Sequence, residues 1–119
     1  MEPMSDGETA GVSIVATSEV SAAARKTWVP EAVRSAITED ADRAYFVRNG
    51  RIHLQWSRGF AEVPPGTPSG AYSRPSNQLS LPAAILRGEW GVADEGVTLA
   101  WLSDGSTLML QPLGEVPIR

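Results

Sequence analysis

The sequence predicts a mainly β domain with short helices, built from two similar halves. A strand-forming segment ending in proline occurs twice, at Val29-Pro30 and Leu81-Pro82, and the two prolines are 52 positions apart. Each is followed by an apolar run that carries a tight-turn dipeptide, Asn49-Gly50 in one half and Asp104-Gly105 in the other. At 119 residues and 42% hydrophobic content, the chain is long enough for one domain with its own core.

The composition narrows the class of protein. Cysteine is absent, which excludes a disulfide scaffold, thiolate-ligated zinc and thiol catalysis. Residues 1–24 contain no Lys or Arg, so the basic start of a secretory signal is missing. No apolar run approaches the ~20 residues of a membrane helix. We therefore expect a cytoplasmic protein with no membrane partner.

Charge is distributed unevenly along the chain. Residues 1–24 and 88–119 each carry a net charge of −4, whereas residues 25–87 carry +4. A basic middle between acidic ends is compatible with a polyanion partner. On charge alone, an ordinary solvated surface is the simpler explanation.

The first half is expected to follow a mobile acidic tail at residues 1–19, in which a short strand around Val12–Val15 is left open. Residues 20–56 are expected to form a β-α-β-β repeat. Trp28 favours a strand, and Pro30 suits the first helical position, where its missing N–H costs nothing. Apolar residues recur every four positions here: Val29, Val33 and Ile37. This spacing predicts a helix of about two turns with one buried stripe.

The first hairpin is predicted from Asn49-Gly50, because both central residues of a type I′ turn need positive φ. A two-residue turn at this point places four side chains on one core-facing side: Tyr45, Val47, Ile52 and Leu54. It also sets Arg48 opposite Arg51, where like charges repel. We expect these two arginines either to splay into solvent or to contact a phosphate or an acidic partner.

Residues 57–76 contain four Pro, three Gly and four Ser, and we expect them to form a linker. Residues 77–113 then repeat the pattern, with a helix opened by Pro82 and ended by Gly91, and a hairpin at Asp104-Gly105. Its predicted core-facing residues are Leu99, Trp101, Leu108 and Leu110. Residues 114–119 are expected to be a tail.

The order of these motifs resembles that of the AbrB/MazE/SpoVT family of swapped-hairpin β-barrel regulators and antitoxins. The family pattern is an apolar-Pro pair, a short helix with Arg, a Leu-Gly-apolar helix end and a tight hairpin. The second half matches it with Leu81-Pro82, Arg87, Trp90-Gly91-Val92 and Asp104-Gly105. The first half matches it with Val29-Pro30, Arg34 and Asn49-Gly50, without the Leu-Gly helix end.

The resemblance covers residues 22–113 and implies two AbrB-like β-α-β-β repeats that form one intramolecular swapped-hairpin barrel. Such a tandem form is similar to the arrangement in the MraZ family. The Asp-x-x-x-Arg pattern of that family is replaced here by Ala22 and Lys26 in one half, and by Arg74 and Gln78 in the other.

The resemblance also implies a DNA-binding transcriptional regulator, which neutralises phosphates and reaches base edges. The expected contacts to double-stranded DNA are the basic residues of the two strand-helix units: Arg25, Lys26, Arg34, Arg74 and Arg87. Two similar halves suit a pseudo-palindromic site. Gln78 stands where a basic residue is expected, so one half is expected to bind more weakly.

No motif in the sequence indicates catalysis. His53 is the single histidine, and no metal-binding, nucleophile or phosphate-loop signature occurs. The acidic residues Glu39, Asp40 and Asp42 are interpreted as a solvated loop rather than a cation site. We expect no enzyme activity, no cofactor and no bound metal.

The alternative function is a protein-interaction adaptor or an antitoxin on the same scaffold, with little or no DNA binding. The acidic pI of about 4.9 favours it. A protein partner would contact the acidic N-terminal tail or an exposed Trp. All four tryptophans are expected in the core, with partial exposure of Trp28 and Trp56 as the alternative. A homodimer is left open.

Overall fold

The computed structural model describes residues 12–21, 24–91 and 96–115. Eight antiparallel strands close into a barrel in the order β1-β2-β6-β5-β3-β4-β8-β7. The strands are β1 Ser13–Ser21, β2 Lys26–Trp28, β3 Arg43–Asn49, β4 Arg51–Ser57, β5 Ser69–Ser73, β6 Gln78–Ser80, β7 Val97–Ser103 and β8 Leu108–Pro112. The prediction of a mainly β fold with short helices is confirmed.

The helices are shorter than expected. Helix α1 is a single turn, Glu31–Arg34, and Pro30 precedes it as the N-cap with extended backbone (φ −63°, ψ 147°). The matching segment Ala84–Glu89 is a π-helix. It ends where the Trp90 N–H donates to the Ile85 carbonyl at 2.9 Å, a bond spanning five residues. A 3-10 turn, Leu113–Glu115, follows β8.

The two halves pair in the same way: replacing β1, β2, β3 and β4 by β5, β6, β7 and β8, and the reverse, leaves every pair of neighbouring strands in the barrel unchanged. Strand β1 joins the β7–β8 hairpin, and β5 joins the β3–β4 hairpin. The register of β2 on β6 is centred on the pair Thr27–Leu79, and that of β4 on β8 is centred on His53–Met109. A pseudo-two-fold axis through these two pairs relates the halves.

Two strands occur where the sequence predicted mainly irregular chain, and the first of them, β1, overlaps and extends the short strand left open around Val12–Val15. Strand β1 occupies most of the described part of the expected tail at residues 1–19, and β5 lies inside the expected linker at residues 57–76. Each half therefore has the order β-β-α-β-β rather than β-α-β-β. Both strands pair with a hairpin of the opposite half, so local sequence carries little signal for them. Residues 1–11 and 116–119 of the predicted tails lie outside the described residues.

The predicted register of the first hairpin is wrong by one residue. Gly50, at φ +78°, stands alone between the paired residues Asn49 and Arg51. Phe46 consequently pairs with Leu54 rather than with His53. Because side chains alternate along a strand, this shift exchanges the faces of β3. The core-facing residues are Ala44, Phe46, Ile52 and Leu54, and Tyr45 and Val47 lie on the opposite face.

The predicted stripe of the first half and the predicted core face of the second hairpin are confirmed. The helical stripe of the first half is buried, as are the inward residues of the second hairpin, and both belong to one apolar cluster: Val29, Val33, Ile37, Leu99, Trp101, Leu108 and Leu110. Gly91 has φ +63°, as expected for a residue that ends the second helix.

A chain of hydrogen bonds crosses the barrel wall between β7, β1 and β2. The Trp101 Nε1–H donates to Ser18 Oγ at 2.9 Å, and Ser18 Oγ lies 2.6 Å from Thr27 Oγ1. Thr27 in turn donates to the Glu19 carbonyl at 2.8 Å. Thr27 is 1% exposed. Each donor in this series of hydrogen bonds has an acceptor, so burying the Thr27 hydroxyl costs little free energy.

Candidate functional site

The outer surface at one end of the pseudo-two-fold axis is formed by β2 and β6. Alternation along these strands turns Thr27 and Leu79 inward. The outward residues are Lys26, Trp28, Gln78 and Ser80, which we call the β2–β6 face. Lys26 lies opposite Ser80, and Trp28 lies opposite Gln78. Only the half that contains Lys26 presents a basic side chain on this face.

Arg25, the residue directly before β2, has a constrained backbone and lies beside a second exposed cation, Lys26. Arg25 has φ +53°, which is uncommon for a residue with a side chain. Its carbonyl accepts the Leu81 N–H at 2.8 Å, so its backbone is anchored to the other half. The side chains of Arg25 and Lys26 are both exposed. These two predicted site residues therefore lie side by side at the edge of the β2–β6 face.

Trp28 and Arg34 form a stacked pair at the opposite edge of the face. Trp28 is 54% exposed, so its predicted place in the core is wrong: it lies on the outward side of the short β2. The Arg34 guanidinium lies 4.6 Å from the centre of the Trp28 ring, and its Nε–H donates to the Val29 carbonyl at 3.0 Å. Its Nη2 is buried without a hydrogen-bond partner among the described residues.

Arg74 and Arg87 follow the same strands from the second half. Arg74 begins the turn between β5 and β6, and its Nη2 donates to the carbonyl of Thr38 at 3.2 Å. Its guanidinium also lies 5.4 Å from the centre of the Tyr72 ring. Arg87 is exposed on the π-helix that follows β6. All five predicted DNA contacts thus lie on β2, on the turns into β2 and β6, or on the helices that follow these strands.

Arg48 and Arg51 do not lie opposite each other in the first hairpin, so this prediction is wrong. The shifted register pairs Arg48 with Ile52 and Arg51 with Asn49. Arg48 Nη1 instead forms an ion pair with Glu89 Oε1 at 2.9 Å. The pair is mostly exposed, so it adds little stability. Arg48 and Arg51 lie at the β3–β4 tip rather than on the β2–β6 face.

Two cavities open beside the β2–β6 face and share Lys26. The first, of about 360 Å³, is lined by residues that include Arg25, Lys26, Ser69, Ala71, Ser80 and Pro82, and we call it the Arg25 cavity. The second, of about 200 Å³, is lined by residues that include Lys26, Tyr72, Ser73, Ser76 and Gln78. None of the described residues that line either cavity is acidic. Together they make a hydroxyl-lined basic groove over β6.

The serines of this groove were not recognised from the sequence. Ser69 and Ser73 belong to β5, which was expected to be linker, and Ser76 lies in the turn that follows. The one available signal was Tyr72, a strand-forming residue two positions after Gly70 and two before Arg74. It is 5% exposed and donates from its hydroxyl to Asn77 Oδ1 at 3.0 Å.

His53 and Asp104, away from the β2–β6 face, form hydrogen bonds within their own hairpins. His53 Nε2 lies 3.1 Å from the Asn49 carbonyl, within its own hairpin. Asp104 accepts the N–H groups of Ser106 and Thr107 at 2.9 Å each. These bonds, the Ser106 one first, lower the pKa of Asp104 from 3.8 to about 2. Within the described ranges, no group of three or more His, Asp or Glu side chains is placed to hold a metal ion.

Comparisons with known proteins gave no relative. The chain matches no protein-family model, and no curated protein or solved structure is significantly similar to it. None of the helices in the described part of the chain is long and apolar enough to cross a membrane.

Proposed function

We propose that this protein is a non-enzymatic, cytoplasmic DNA-binding regulator that contacts double-stranded DNA through the β2–β6 face and the turns beside it. The observation that carries the proposal is the position of Arg25 and Lys26, two exposed cations that edge a hydroxyl-lined groove free of lining acids. Arg, Lys and Ser side chains are among the groups that hydrogen-bond to phosphate oxygens in protein–DNA complexes.

The proposed scaffold is a tandem AbrB-like barrel in which the two halves exchange strands. The exchange of β1 and β5 between the two hairpins supports this reading. So does the pseudo-two-fold axis, which passes through the proposed interface at the pair Thr27–Leu79. A two-fold protein surface suits a two-fold DNA site, because both present the same contacts twice.

The two half-sites are proposed to be unequal. The register that centres β2 and β6 on Thr27–Leu79 makes Gln78 the counterpart of Lys26. Asn77, at φ +54°, is likewise the counterpart of Arg25. The first half therefore supplies two cations where the second supplies two neutral side chains. We propose that the first half makes the stronger phosphate contacts.

The proposal is tested by fluorescence anisotropy with labelled genomic duplexes over a series of salt concentrations. We expect the logarithm of the binding constant to fall linearly with the logarithm of salt concentration. Lys26→Gln should reduce the slope by about 1, because each neutralised phosphate contributes about 0.9. The matched control is Arg58→Gln, which removes an exposed cation just after β4. Absence of binding at low salt, or equal losses in both variants, would sink the proposal.

A protein-interaction role is the second candidate, favoured by the loop after β4. Phe60 is 81% exposed at this loop. Two hydrogen bonds nevertheless tie the loop to β3 and the residue before it: the Tyr45 hydroxyl donates to the Gly59 carbonyl at 3.1 Å, and the Gly59 N–H donates to Asp42 Oδ1 at 2.9 Å. An exposed aromatic on such a loop is typical of a protein-binding anchor. If DNA does not bind, capture experiments with wild type and Phe60→Ala should differ in the proteins retained.

A further inference from the structure

The two halves differ at two outward positions that line the Arg25 cavity in the second half. The register of the strands makes Trp28 the counterpart of Ser80, and Glu19 the counterpart of Ala71. The first half thus carries an indole and a carboxylate where the second carries a hydroxymethyl and a methyl group. The small side chains of the second half leave an open cavity of about 360 Å³. This volume lies within the range of small-molecule sites, roughly 300–1,000 Å³.

The lining of the cavity has a charged end and an apolar part. Arg25 and Lys26 are exposed at its edge, and an arginine guanidinium matches the geometry of a phosphate. Ala71 and Pro82 supply apolar surface. Ser69 Oγ accepts a hydrogen bond from Arg43 Nη1 at 2.9 Å, which leaves its own O–H able to donate.

We propose that the Arg25 cavity binds a single nucleotide unit, with its phosphate at Arg25 and Lys26 and its base against Ala71 and Pro82. The choice of a nucleotide over other planar anions rests on the proposed nucleic-acid function. The unit is either a free mononucleotide or one nucleotide of a single strand, since both present a phosphate next to a planar ring.

The test is isothermal titration of the whole protein with AMP, in parallel with inorganic phosphate and uncharged adenosine. We expect saturable AMP binding at or below about 1 mM, and binding at least tenfold weaker for both partial ligands. Ala71→Glu should weaken AMP binding at least tenfold, because it places at this exposed position the carboxylate that Glu19 carries in the other half. The matched control is Gln55→Glu, the same charge change at an exposed position of β4, with less than a twofold effect.

A second variant guards against an indirect charge effect. Ser80→Trp should also weaken AMP binding at least tenfold, because it puts an indole at the counterpart of Trp28 without changing charge. Thermal unfolding of each variant establishes that the barrel is intact. Lack of saturation by AMP, equal affinity for phosphate and AMP, or equal effects of Ala71→Glu and Gln55→Glu would overturn the inference.

Competition separates the sources and the two proposals. Displacement of AMP by a single-stranded oligonucleotide assigns the cavity to a nucleotide within a strand, and retention of AMP assigns it to a free nucleotide. Both results support the inference. Duplex binding without AMP binding would leave the proposed function standing and remove this inference. AMP binding without duplex binding would do the reverse.

Discussion

The carbonyl oxygens of Arg25 and Asn77 accept equivalent hydrogen bonds from opposite halves of the barrel. Arg25 accepts the Leu81 N–H at 2.8 Å, and Asn77 accepts the Val29 N–H at 2.7 Å. The two residues also share a left-handed backbone, at φ +53° and +54°. The backbones of these two residues are therefore alike, whereas their side chains differ in charge. The unequal charge of the two halves at the β2–β6 face therefore arises from their side chains, and not from their backbones.

The asymmetry predicts a gain of DNA affinity from Gln78→Lys. This change gives the second half the counterpart of Lys26, on the exposed side of β6. We expect tighter binding to duplex DNA and a salt slope steeper by about 1, because one more phosphate is neutralised. Anisotropy titrations at several salt concentrations measure both. Gln55→Lys makes the same charge change on β4 and should leave the salt slope unaltered. An equal gain of DNA affinity in this control would show that net charge, and not the position of the lysine, causes the effect.

The close approach of β5 to β6 predicts a large stability loss from Gly70→Ala. A Cβ at residue 70 would lie 1.8 Å from the Ser80 carbonyl oxygen, which belongs to the backbone and cannot rotate away. We expect destabilisation of about 3 kcal/mol, measured by urea unfolding, as strands are forced apart. Gly88→Ala is the control, because a Cβ there meets nothing within 4 Å. A Gly70→Ala protein as stable as wild type would contradict the packing.

The lowered pKa of Asp104 predicts an acid-dependent loss of stability. The carboxylate is favoured in the folded turn, so its pKa falls from 3.8 to about 2. A depressed pKa stabilises the fold above the unfolded value, and this contribution is lost as the pH falls from about 4 to about 2. Asp104→Asn should therefore show a weaker decline in its urea midpoint across this window. If the urea midpoints of wild type and Asp104→Asn decline in parallel with pH, the folded turn does not favour the charged form of Asp104.

The stack of Arg34 on Trp28 predicts separate effects of charge and shape. Arg34→Lys keeps the charge, but it loses the planar group over the ring and the Nε–H bond to Val29. We expect a stability loss of about 1 kcal/mol with little change in the salt slope of DNA binding. Arg34→Gln should lower both. Thermal unfolding and anisotropy distinguish the two, and an unchanged melting temperature in both variants would rule out a structural role for the stack.

The sequence was sufficient for the features that depend on neighbouring residues. Pro30 and Pro82 located the two helices to within two residues, although each proline precedes its helix rather than opening it. The spacing of Val29, Val33 and Ile37 identified a buried stripe that the structure confirms. The second hairpin was placed on its correct face. These features can be predicted because the spacing of apolar residues along a helix or strand indicates which side chains face the core.

Tertiary structure alone decided the features that depend on distant partners. Strands β1 and β5 exist because each joins the hairpin of the other half, as in the pairing of Ser18 with Leu99. The register of the first hairpin has a single residue, Gly50, between the paired Asn49 and Arg51, and this places Tyr45 on the opposite face from the one predicted. The Arg25 cavity likewise joins residues from a turn, β5 and β6 that are far apart in the chain. The contacts to DNA remain a prediction. Local propensity cannot encode such pairings, because their stabilising energy comes from residues that meet only when the barrel closes.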